Sequence, residues 1–329
     1  MLAIDVGYSA VKVITDKGES VLFSSHVAPF VDRGIAQIGS QKHIKIGSKT
    51  FITGNANLDH DLKTDEELHG SEEWEALMAR AFYEVFLLGG SPAGGEVVDM
   101  VVECLGVGLP FQQYRDEKIA ALQSRKEFSF EVDGTPFVVK VEDVKVFPQG
   151  FAMIGNVDDP EELNDAGFLD IGFYTLDVVL TRGGSVVHDK CHSQDLGVHR
   201  IYEQLRKSCS SKCGKMAVSD HEIKKVLEQG GFKFKGKWVS FVEERDAFLR
   251  EHVAEIKNYL QGYWRNQFDF LERLVIGGGG AVLLEPFLKQ QSAEEGDGSL
   301  RMAGIPCEIV NDPVFGNANG FMRCMQQGV

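Results

Sequence analysis

Two short motifs of the chain place an aspartate and a glycine at the end of an apolar strand. Residues 4–18 read IDVGYSAVKVITDKG and residues 169–183 read LDIGFYTLDVVLTRG, and the two segments align without a gap at a constant offset of 165 residues. A glycine at such a turn lets backbone amides approach an anion, and successive N–H groups form a nest for phosphate. The repeated motif therefore indicates binding of a phosphate chain.

The aspartates of the two motifs, Asp5 and Asp170, suit a different part of the same chemistry. A carboxylate does not bind phosphate directly, but it can hold water-coordinated Mg²⁺, which keeps several waters while it bridges carboxylates and substrate phosphates. One Asp-x-Gly turn alone is a common hairpin feature. Two copies in separate halves of the chain are more specific, and they predict two related domains that close a cleft around one phosphate chain.

Composition limits the functions that this chain can have. With 329 residues, 43% hydrophobic and 25% charged, it is long enough for two domains of ordinary size. A formal net charge of −15 disfavours direct DNA binding by the bulk surface, because phosphate contacts rely on Lys and Arg, so we expect any DNA contact to run through an adaptor.

No apolar run approaches the roughly 18–20 residues that span a bilayer, and Asp5 stands where a signal peptide would be apolar. We therefore expect a cytoplasmic protein without a membrane partner. The six cysteines are then expected to be reduced.

Hydrophobic spacing in the first half predicts alternating strands and helices. Residues 2–6 form a buried strand, and Ser71 caps an amphipathic helix that ends at the glycines 89–90. Residues 97–110 are a strand that stops at Pro110, followed by a helix. A hairpin then turns at Asp133-Gly134.

In the second half, a new domain is predicted to begin near residue 160. The second hairpin precedes a helix with Val198, Ile201 and Leu205 on one face, and a long amphipathic helix over 249–263 leads into the strand RLVIGGGG. The acidic stretch 290–298 is predicted to be a surface loop, and the chain closes with a strand and a last helix.

Three further patterns have weaker functional interpretations. The segment 231–238 (GFKFKGKW) is close to a P-loop, but Trp238 replaces the Mg²⁺-binding Ser or Thr, which favours a lysine-faced hairpin strand. The glycine run at 277 lacks a third glycine at Val282, so a dinucleotide site is weakly supported. The spacings of the histidines and cysteines between 188 and 213 match no standard zinc site.

Considered together and in order, five segments of the chain resemble the signature segments of the actin, hexokinase and heat-shock chaperone superfamily. These segments are 4–12, 169–177, the strand VVECLGVGLP with VFPQG at 146–150, 274–284 (LVIGGGGAVLL) and 312–322 (DPVFGNANGFM). Within the superfamily, the strings GLPFQQY, VFPQG and NDPVFGNANG are most similar to plasmid-partition actins of the ParM/StbA type.

This resemblance implies an α/β actin-like fold, with two duplicated RNase H-like domains around a nucleotide cleft. The first domain would comprise residues 1–158 plus 313–329, and the second residues 159–312. The chain departs from the family pattern at Tyr8, where Ser is frequent, and at Phe173-Tyr174, where Gly-Thr is frequent. Contacts from side-chain hydroxyls are in doubt there, whereas contacts from backbone amides need only the glycine and the turn.

The resemblance also implies roles for individual residues. Gln149 would orient the attacking water, Asp170 would assist that water or its Mg²⁺, and Asp5 would hold the metal together with Asp170. The nucleotide would be held by residues of both turns, of the glycine segment and of the helix after the second hairpin: Gly7, Tyr8, Ser9, Ala10, Lys12, Gly172, Phe173, Tyr174, Thr175, Gly277, Gly278, Gly279, Gly280, Glu203 and Lys207.

The function implied is that of a filament-forming ATPase that uses ATP and Mg²⁺ to segregate low-copy DNA. GTP remains open as a competing nucleotide. The expected partners are further copies of the chain in a head-to-tail filament and a DNA-bound adaptor of the ParR type. Two alternatives stay open: a small-molecule kinase, which would need a carboxylate base aimed at a substrate hydroxyl, and a non-filamentous nucleotide switch.

Overall fold

The computed structural model describes residues 1–30, 42–54, 68–90, 96–157, 164–295 and 300–328. The chain divides into two compact units. The first unit comprises Met1–Asn156 and Phe315–Val329, and the second comprises Val157–Val314. None of the described helices is long and apolar enough to cross a membrane.

The described residues form strands and helices in the following order along the chain. The strands are β1 (Leu2–Val6), β2 (Ala10–Thr15), β3 (Ser20–Ser24), β4 (Val27–Pro29), β5 (Lys42–Ile46), β6 (Lys49–Thr53), β7 (Val98–Leu109), β8 (Glu127–Val132), β9 (Thr135–Pro148), β10 (Ala166–Ile171), β11 (Leu176–Arg182), β12 (Ser185–Val186), β13 (His192–Gln194), β14 (Gly231–Phe234), β15 (Lys237–Ser240), β16 (Arg273–Gly277), β17 (Arg301–Met302) and β18 (Ile305–Ile309). The α-helices are α1 (Glu72–Gly89), α2 (Asp116–Gln123), α3 (His199–Lys212), α4 (Asp220–Gln229), α5 (Val242–Trp264), α6 (Gly279–Glu295) and α7 (Gly316–Gln327).

In the first unit, the described strands build a mixed sheet in the order β3-β2-β1-β7-β9-β8-β5-β6-β4. Helix α1 begins as its sequence predicts, because the Ser71 hydroxyl oxygen accepts a hydrogen bond from the backbone N–H of Trp74. Its buried face carries Trp74, Leu77 and Phe82 into the main core. Helix α7 covers β1, β2 and β7 with a separate apolar cluster that includes Phe321.

In the second unit, the described strands form the order β12-β11-β10-β16-β18-β17, with β13 added beside β11. Helices α3, α5 and α6 supply the core with Ile201, Leu205, Val253 and Leu284, which are all buried. The two short strands β14 and β15 form a separate hairpin. The prediction of a hairpin rather than a P-loop at 231–238 is therefore confirmed.

The two hairpins that carry the Asp-x-Gly motifs have the same register. Strand β1 pairs with β2 so that Asp5 faces Lys12, and β10 pairs with β11 so that Asp170 faces Asp177. Each first strand also has a parallel neighbour, β7 in one unit and β16 in the other. The internal duplication read from the sequence is thus a duplication of structure.

Two predicted boundaries are wrong. The stretch 290–298 is expected from its sequence to be a loop, but α6 continues to Glu295; residues 296–298 lie outside the described part of the chain. Ala and Glu favour the helix up to that point, and the next glycine is Gly296. The long helix expected over 249–263 begins earlier, at Val242, where Glu243 and Glu244 place acidic charge in its first turn.

Candidate functional site

The first Asp-x-Gly turn connects β1 to β2. The Gly7 N–H donates to the Ala10 carbonyl at 3.1 Å, which closes a tight turn. A Cβ atom at Gly7 would lie 2.7 Å from the ammonium nitrogen of Lys12. The absence of a side chain at Gly7 therefore lets the Lys12 ammonium approach the backbone of the turn, where its charge would add to the attraction of the turn amides for phosphate.

Asp5, Lys12 and Gln149 come together beside this turn. The Asp5 carboxylate is 2% exposed. One of its oxygens accepts from the Lys12 ammonium at 3.0 Å, and the other accepts from the Gln149 side-chain amide at 2.7 Å. A buried carboxylate needs such partners, because desolvation of an unpaired charge is costly. Three residues that the sequence assigned to one site are therefore in contact.

Gln149 is held by the elements on either side of it. It follows β9, and its backbone N–H donates to the Leu109 carbonyl at the end of β7 at 2.8 Å. The next residue, Gly150, has φ of +80° and donates its N–H to the side-chain oxygen of Asn317 in α7 at 2.9 Å. Asn317 is 8% exposed, and no sequence motif had singled it out for a role.

The second Asp-x-Gly turn has the same closing hydrogen bond. The Gly172 N–H donates to the Thr175 carbonyl at 2.8 Å, as Gly7 does to Ala10. The Thr175 hydroxyl donates to one carboxylate oxygen of Asp177 at 3.3 Å, and the other oxygen accepts from the Ser193 hydroxyl. The hydroxyl of this turn is thus oriented by a buried carboxylate.

The segment before α3 packs on the second turn. The Phe173 and Tyr174 carbonyls accept from the N–H groups of His199 and Gly197, at 2.8 and 2.9 Å. A Cβ atom at Gly197 would lie 2.2 Å from the Phe173 carbonyl oxygen, so only glycine permits this approach. Sequence analysis missed Gly197, although a glycine just before a predicted helix is a usable signal for a close approach.

The glycine segment adjoins Asp170. Strand β16 runs parallel to β10 with Gly277 opposite Asp170, and α6 begins two residues later at Gly279. Gly278 has φ of +83°, and a Cβ atom there would lie 2.4 Å from an Asp170 carboxylate oxygen. Asp170 is 7% exposed. Because the N-terminus of a helix favours anions, this arrangement is suited to a phosphate group next to Asp170.

A cavity of about 730 Å³ opens at the start of α6. Its lining includes Leu227 of α4, Arg245 and Asp246 of α5, and Gly279, Val282 and Phe287 of α6. Drug-sized and cofactor-sized ligands occupy cavities of roughly 300–1,000 Å³ with mainly apolar walls and a few polar groups. The size and the lining of this cavity fit a nucleoside.

Glu203 and Lys207 lie on helix α3. They line a smaller polar cavity of about 190 Å³ between α3 and α5, together with Arg200, His252 and Glu255. None of the described residues that line this smaller cavity also lines the cavity at the start of α6.

The surroundings of Asp5 fit Mg²⁺ as an ion that keeps its waters. Among the described residues, no group of three or more His, Cys, Asp or Glu could hold a metal ion directly. Asp5 presents both oxygens to nitrogen donors, so it suits contact through metal-bound waters better than direct coordination in a protein cage.

Comparison with known proteins agrees with this geometry. Residues 3–151 match the family model of the N-terminal domain of actin-like proteins, and residues 168–290 match the C-terminal domain of the archaeal MreB-like actin homologues. Together these two models span most of the chain. The class defined by the fold and the two turns is that of the actin-like proteins, and the chain belongs to this superfamily.

Solved structures of actin homologues are similar over the whole chain. An archaeal actin homologue, Ta0583, has a TM-score of 0.78 and 21% identity, with 100% of this chain and 99% of that chain covered. A 15-stranded ParM filament from Clostridium botulinum has a TM-score of 0.76 and 22% identity, with 99% and 98% covered. The actin-like protein Alp7A has 0.77 and 16%, with 99% and 96% covered. A search of curated proteins finds no match.

Proposed function

We propose that this chain is an ATPase that assembles with its own copies into filaments and moves low-copy DNA such as a plasmid. The observation that carries the proposal is the repeated turn of identical register, with Asp5 beside Lys12 and Gln149 in one unit and Asp170 beside Gly278 in the other. The similar ParM structure is a filament by its description, and a Ta0583 structure is described as a complex with ADP.

In this proposal both turns hold the phosphates of one nucleotide. The backbone amides near Gly7 and Gly172 would donate to phosphate oxygens, and the Lys12 ammonium would neutralise their charge. Asp5 and Asp170 would hold the waters of Mg²⁺, which when bound neutralises phosphate charge.

Gln149 is proposed to orient the attacking water. Its side-chain amide already donates to Asp5 at 2.7 Å, which leaves its carbonyl oxygen as the acceptor for a water proton. Asp170 is proposed to assist the same water. Catalysis by such groups depends on position and charge rather than on covalent chemistry, which is typical of phosphoryl transfer.

We propose that the nucleoside occupies the cavity at the start of α6. Val282 and Phe287 would pack against the base, while Asp246 could accept a hydrogen bond from an exocyclic amino group. Both adenine and guanine carry such a group, so this contact does not distinguish ATP from GTP. ATP is the proposed ligand, and GTP is a competing candidate. Glu203 and Lys207, which line the cavity between α3 and α5, are proposed to contact the nucleotide from α3.

The remaining parts of the proposal concern domains and partners. The two actin-like domains are proposed at residues 1–158 plus 313–329 and at 159–312, near the limits of the two compact units. The net charge of −15 supports a DNA-bound adaptor of the ParR type rather than direct DNA contact, and a cytoplasmic location goes with that role.

Light scattering during ATP hydrolysis tests the proposal. Wild-type protein at tens of micromolar should scatter more light when Mg²⁺ and ATP are added, and the signal should decay as inorganic phosphate is released. Asp170→Ala should reduce the rate of phosphate release by about two orders of magnitude or more, because it removes a positioned charged group. Its filaments should then persist.

The matched control is Asp189→Ala, which removes an exposed carboxylate of the same unit and should behave as wild type. Flat scattering with wild-type protein, despite phosphate release, would contradict filament formation and favour a nucleotide switch. Phosphate transfer to a small hydroxyl compound in place of water would favour a kinase.

A further inference from the structure

A second cavity lies within the first unit and takes no part in the proposed nucleotide chemistry. Its volume is about 480 Å³, and it is bounded by the start of α1, the end of β7 and one side of α2. Its walls differ in character. Leu109, Ala121 and Leu122 form an apolar side, while Lys118, Arg125 and Ser71 form a polar side.

His69 is the polar residue of this cavity whose burial is not explained by the fold alone. It is 8% exposed, and its ring lies near the Val6 backbone, but among the described residues neither ring nitrogen makes a hydrogen bond of normal geometry. Buried polar groups are almost always hydrogen-bonded, because an unsatisfied one costs on the order of 1–3 kcal/mol. An unsatisfied imidazole at a cavity wall is therefore placed to bind something that enters the cavity.

The other polar side chains of the cavity are Ser71, Lys118 and Arg125. Lys118 and Arg125 are cations, and the Lys118 ammonium also donates to the Gln113 side chain at 3.1 Å. The N-terminus of the 18-residue helix α1 adds the positive end of its dipole, which the acidic residues of its first turn partly offset. Arg125 is held in place: it contacts Glu75 at 3.2 Å and the Gly70 carbonyl at 2.9 Å, and it lies over the Trp74 ring. A preorganised guanidinium is well suited to an oxyanion.

His69 remains neutral here, which keeps it a donor at one nitrogen and an acceptor at the other. Burial is the main cause that lowers its pKa, to about 4, and it outweighs the charge of Asp5, which acts in the opposite direction. A neutral imidazole that donates one hydrogen bond, two cations and a helix N-terminus together match the oxygens of a phosphate group.

We infer that this cavity, which adjoins the first turn but is lined by different residues, is a binding site for a phosphomonoester. The phosphate oxygens would contact His69, Lys118 and Arg125, and an apolar group attached to the phosphate would lie against Leu109 and Leu122. A free phosphate ion and an organic phosphate would make the same polar contacts in this cavity. Because the apolar wall would bind only an organic substituent, we assign the site to an organic phosphate.

Binding of phenyl phosphate tests the inference, with inorganic phosphate as the second probe. Titrations on the full chain, with Mg²⁺ and a non-hydrolysable ATP analogue at saturation, should give saturable binding of phenyl phosphate. Its affinity should exceed that of inorganic phosphate at least fivefold, because only phenyl phosphate covers the apolar wall. Equal affinities would assign the site to free phosphate instead, which overturns the organic part of the inference.

Wild-type protein and three variants distinguish binding at this site from binding at the first nucleotide turn. Lys118→Gln should weaken phenyl phosphate binding about tenfold, while Lys140→Gln, the same change at an exposed lysine of the same unit, should have no effect. Lys12→Gln, a change at the first nucleotide turn, should also leave the affinity for phenyl phosphate unchanged. If only Lys12→Gln weakens it, or if wild-type protein does not bind the probe, the inference is wrong.

The imidazole of His69 supplies a readout that does not depend on affinity alone. In ¹⁵N-labelled protein its ring signals, assigned by their loss in His69→Gln, should shift on addition of phenyl phosphate, and the pKa of His69 should rise. Ring signals that stay constant at saturating probe would place the anion elsewhere. Because Lys118→Gln and Lys12→Gln are compared in parallel, failure of this inference and failure of nucleotide binding are distinguishable.

Discussion

At the scale of single residues, the two copies of the motif differ in charge at the position that faces the aspartate. The position facing the aspartate is Lys12 in the first hairpin and Asp177 in the second. Directly opposed residues of an antiparallel pair share one face of the sheet. The first turn therefore combines a carboxylate with a cation, whereas the second combines two carboxylates. The two turns therefore share their backbone register but differ in charge at this position.

Gly278 is the residue whose backbone the site depends on most directly. We expect Gly278→Ala to lower the free energy of unfolding by about 2–4 kcal/mol, because φ is +83° and the new Cβ would lie 2.4 Å from both an Asp170 oxygen and the Ile171 carbonyl. Urea unfolding measures this loss.

The next residue, Gly279, is a matched control. A Cβ atom at Gly279 would have open space around it, with none of the described residues within 4 Å, and the residue begins α6. Gly279→Ala should therefore be neutral or stabilising by up to about 1 kcal/mol. Equal losses of stability for the two variants would contradict the role assigned to the backbone at Gly278.

The sequence predicted the residues of the turns better than those that support them. Asp5, Gly7, Asp170 and Gly172 were identified because the duplication repeats them in a motif with a known physical use. Asn317 was not, since its hydrogen bond to Gly150 joins positions 167 residues apart and no local pattern encodes such a contact. His69 belongs to no recognised sequence motif, and its burial and lack of a well-formed hydrogen bond are evident only from the packing around it.

At the scale of elements, α7 is a helix whose position serves the site. It packs on β1, β2 and β7 and on the 3₁₀-helix Phe151–Asn156. Close contact is possible because of Gly320, where a Cβ atom would lie 1.8 Å from the Ala152 carbonyl oxygen. Two asparagines then join α7 to the segment after β9: Asn317 accepts from Gly150, and Asn156 donates to the Gly316 carbonyl at 2.8 Å.

We expect Asn317→Ala to slow ATP hydrolysis without preventing nucleotide binding. The substitution leaves the buried Gly150 N–H without its acceptor, which costs about 1–3 kcal/mol, and it frees the turn that positions Gln149. Phosphate release should fall about tenfold or more. Nucleotide affinity, measured by fluorescence of a labelled ATP analogue, should change less than threefold.

Asn156→Ala removes a hydrogen bond to the same helix without touching the turn of Gln149. It should lower stability by a comparable amount and leave the rate of phosphate release near that of wild type. If both variants lose activity in proportion to stability, Asn317 has a structural role only.

The elements themselves were largely predictable, and their ends were less so. Continuous apolar runs gave β1, β7 and β16 close to their observed limits, because strands at the centre of a sheet are largely apolar on both faces. The end of α6 was missed since the acidic charge of residues 290–298 was given more weight than the helix propensity of Ala and Glu. Charge alone does not distinguish an exposed helix end from a loop.

At the scale of the whole molecule, the described residues of each compact unit include one buried histidine that is neutral in the fold. His69 lies in the first unit and is 8% exposed; His252 lies in the second and is 2% exposed. Burial is the main cause that lowers the pKa of each to about 4, from an ordinary value near 6.5. Since a buried, uncharged histidine must gain a proton on unfolding below pH 6.5, both units are sensitive to acid.

The sign and the pH range of this sensitivity follow from the two pKa values. Between about pH 6.5 and pH 4 the unfolded chain binds more protons than the folded chain, so stability is complete above pH 6.5 and is lost as the pH falls toward 4. A shift of that size corresponds to a loss on the order of 2 kcal/mol per histidine between pH 7 and pH 5.

We expect His252→Gln to remove this loss from the second unit alone. The free energy of unfolding of that unit, followed by the fluorescence of the buried Trp264 in a Trp74→Phe and Trp238→Phe background, should become nearly constant between pH 7 and pH 5. His221→Gln, a change at an exposed histidine of the same unit, should keep the full pH dependence. An unchanged pH slope in His252→Gln would mean that other groups, and not the desolvated imidazole, cause the acid sensitivity of the second unit.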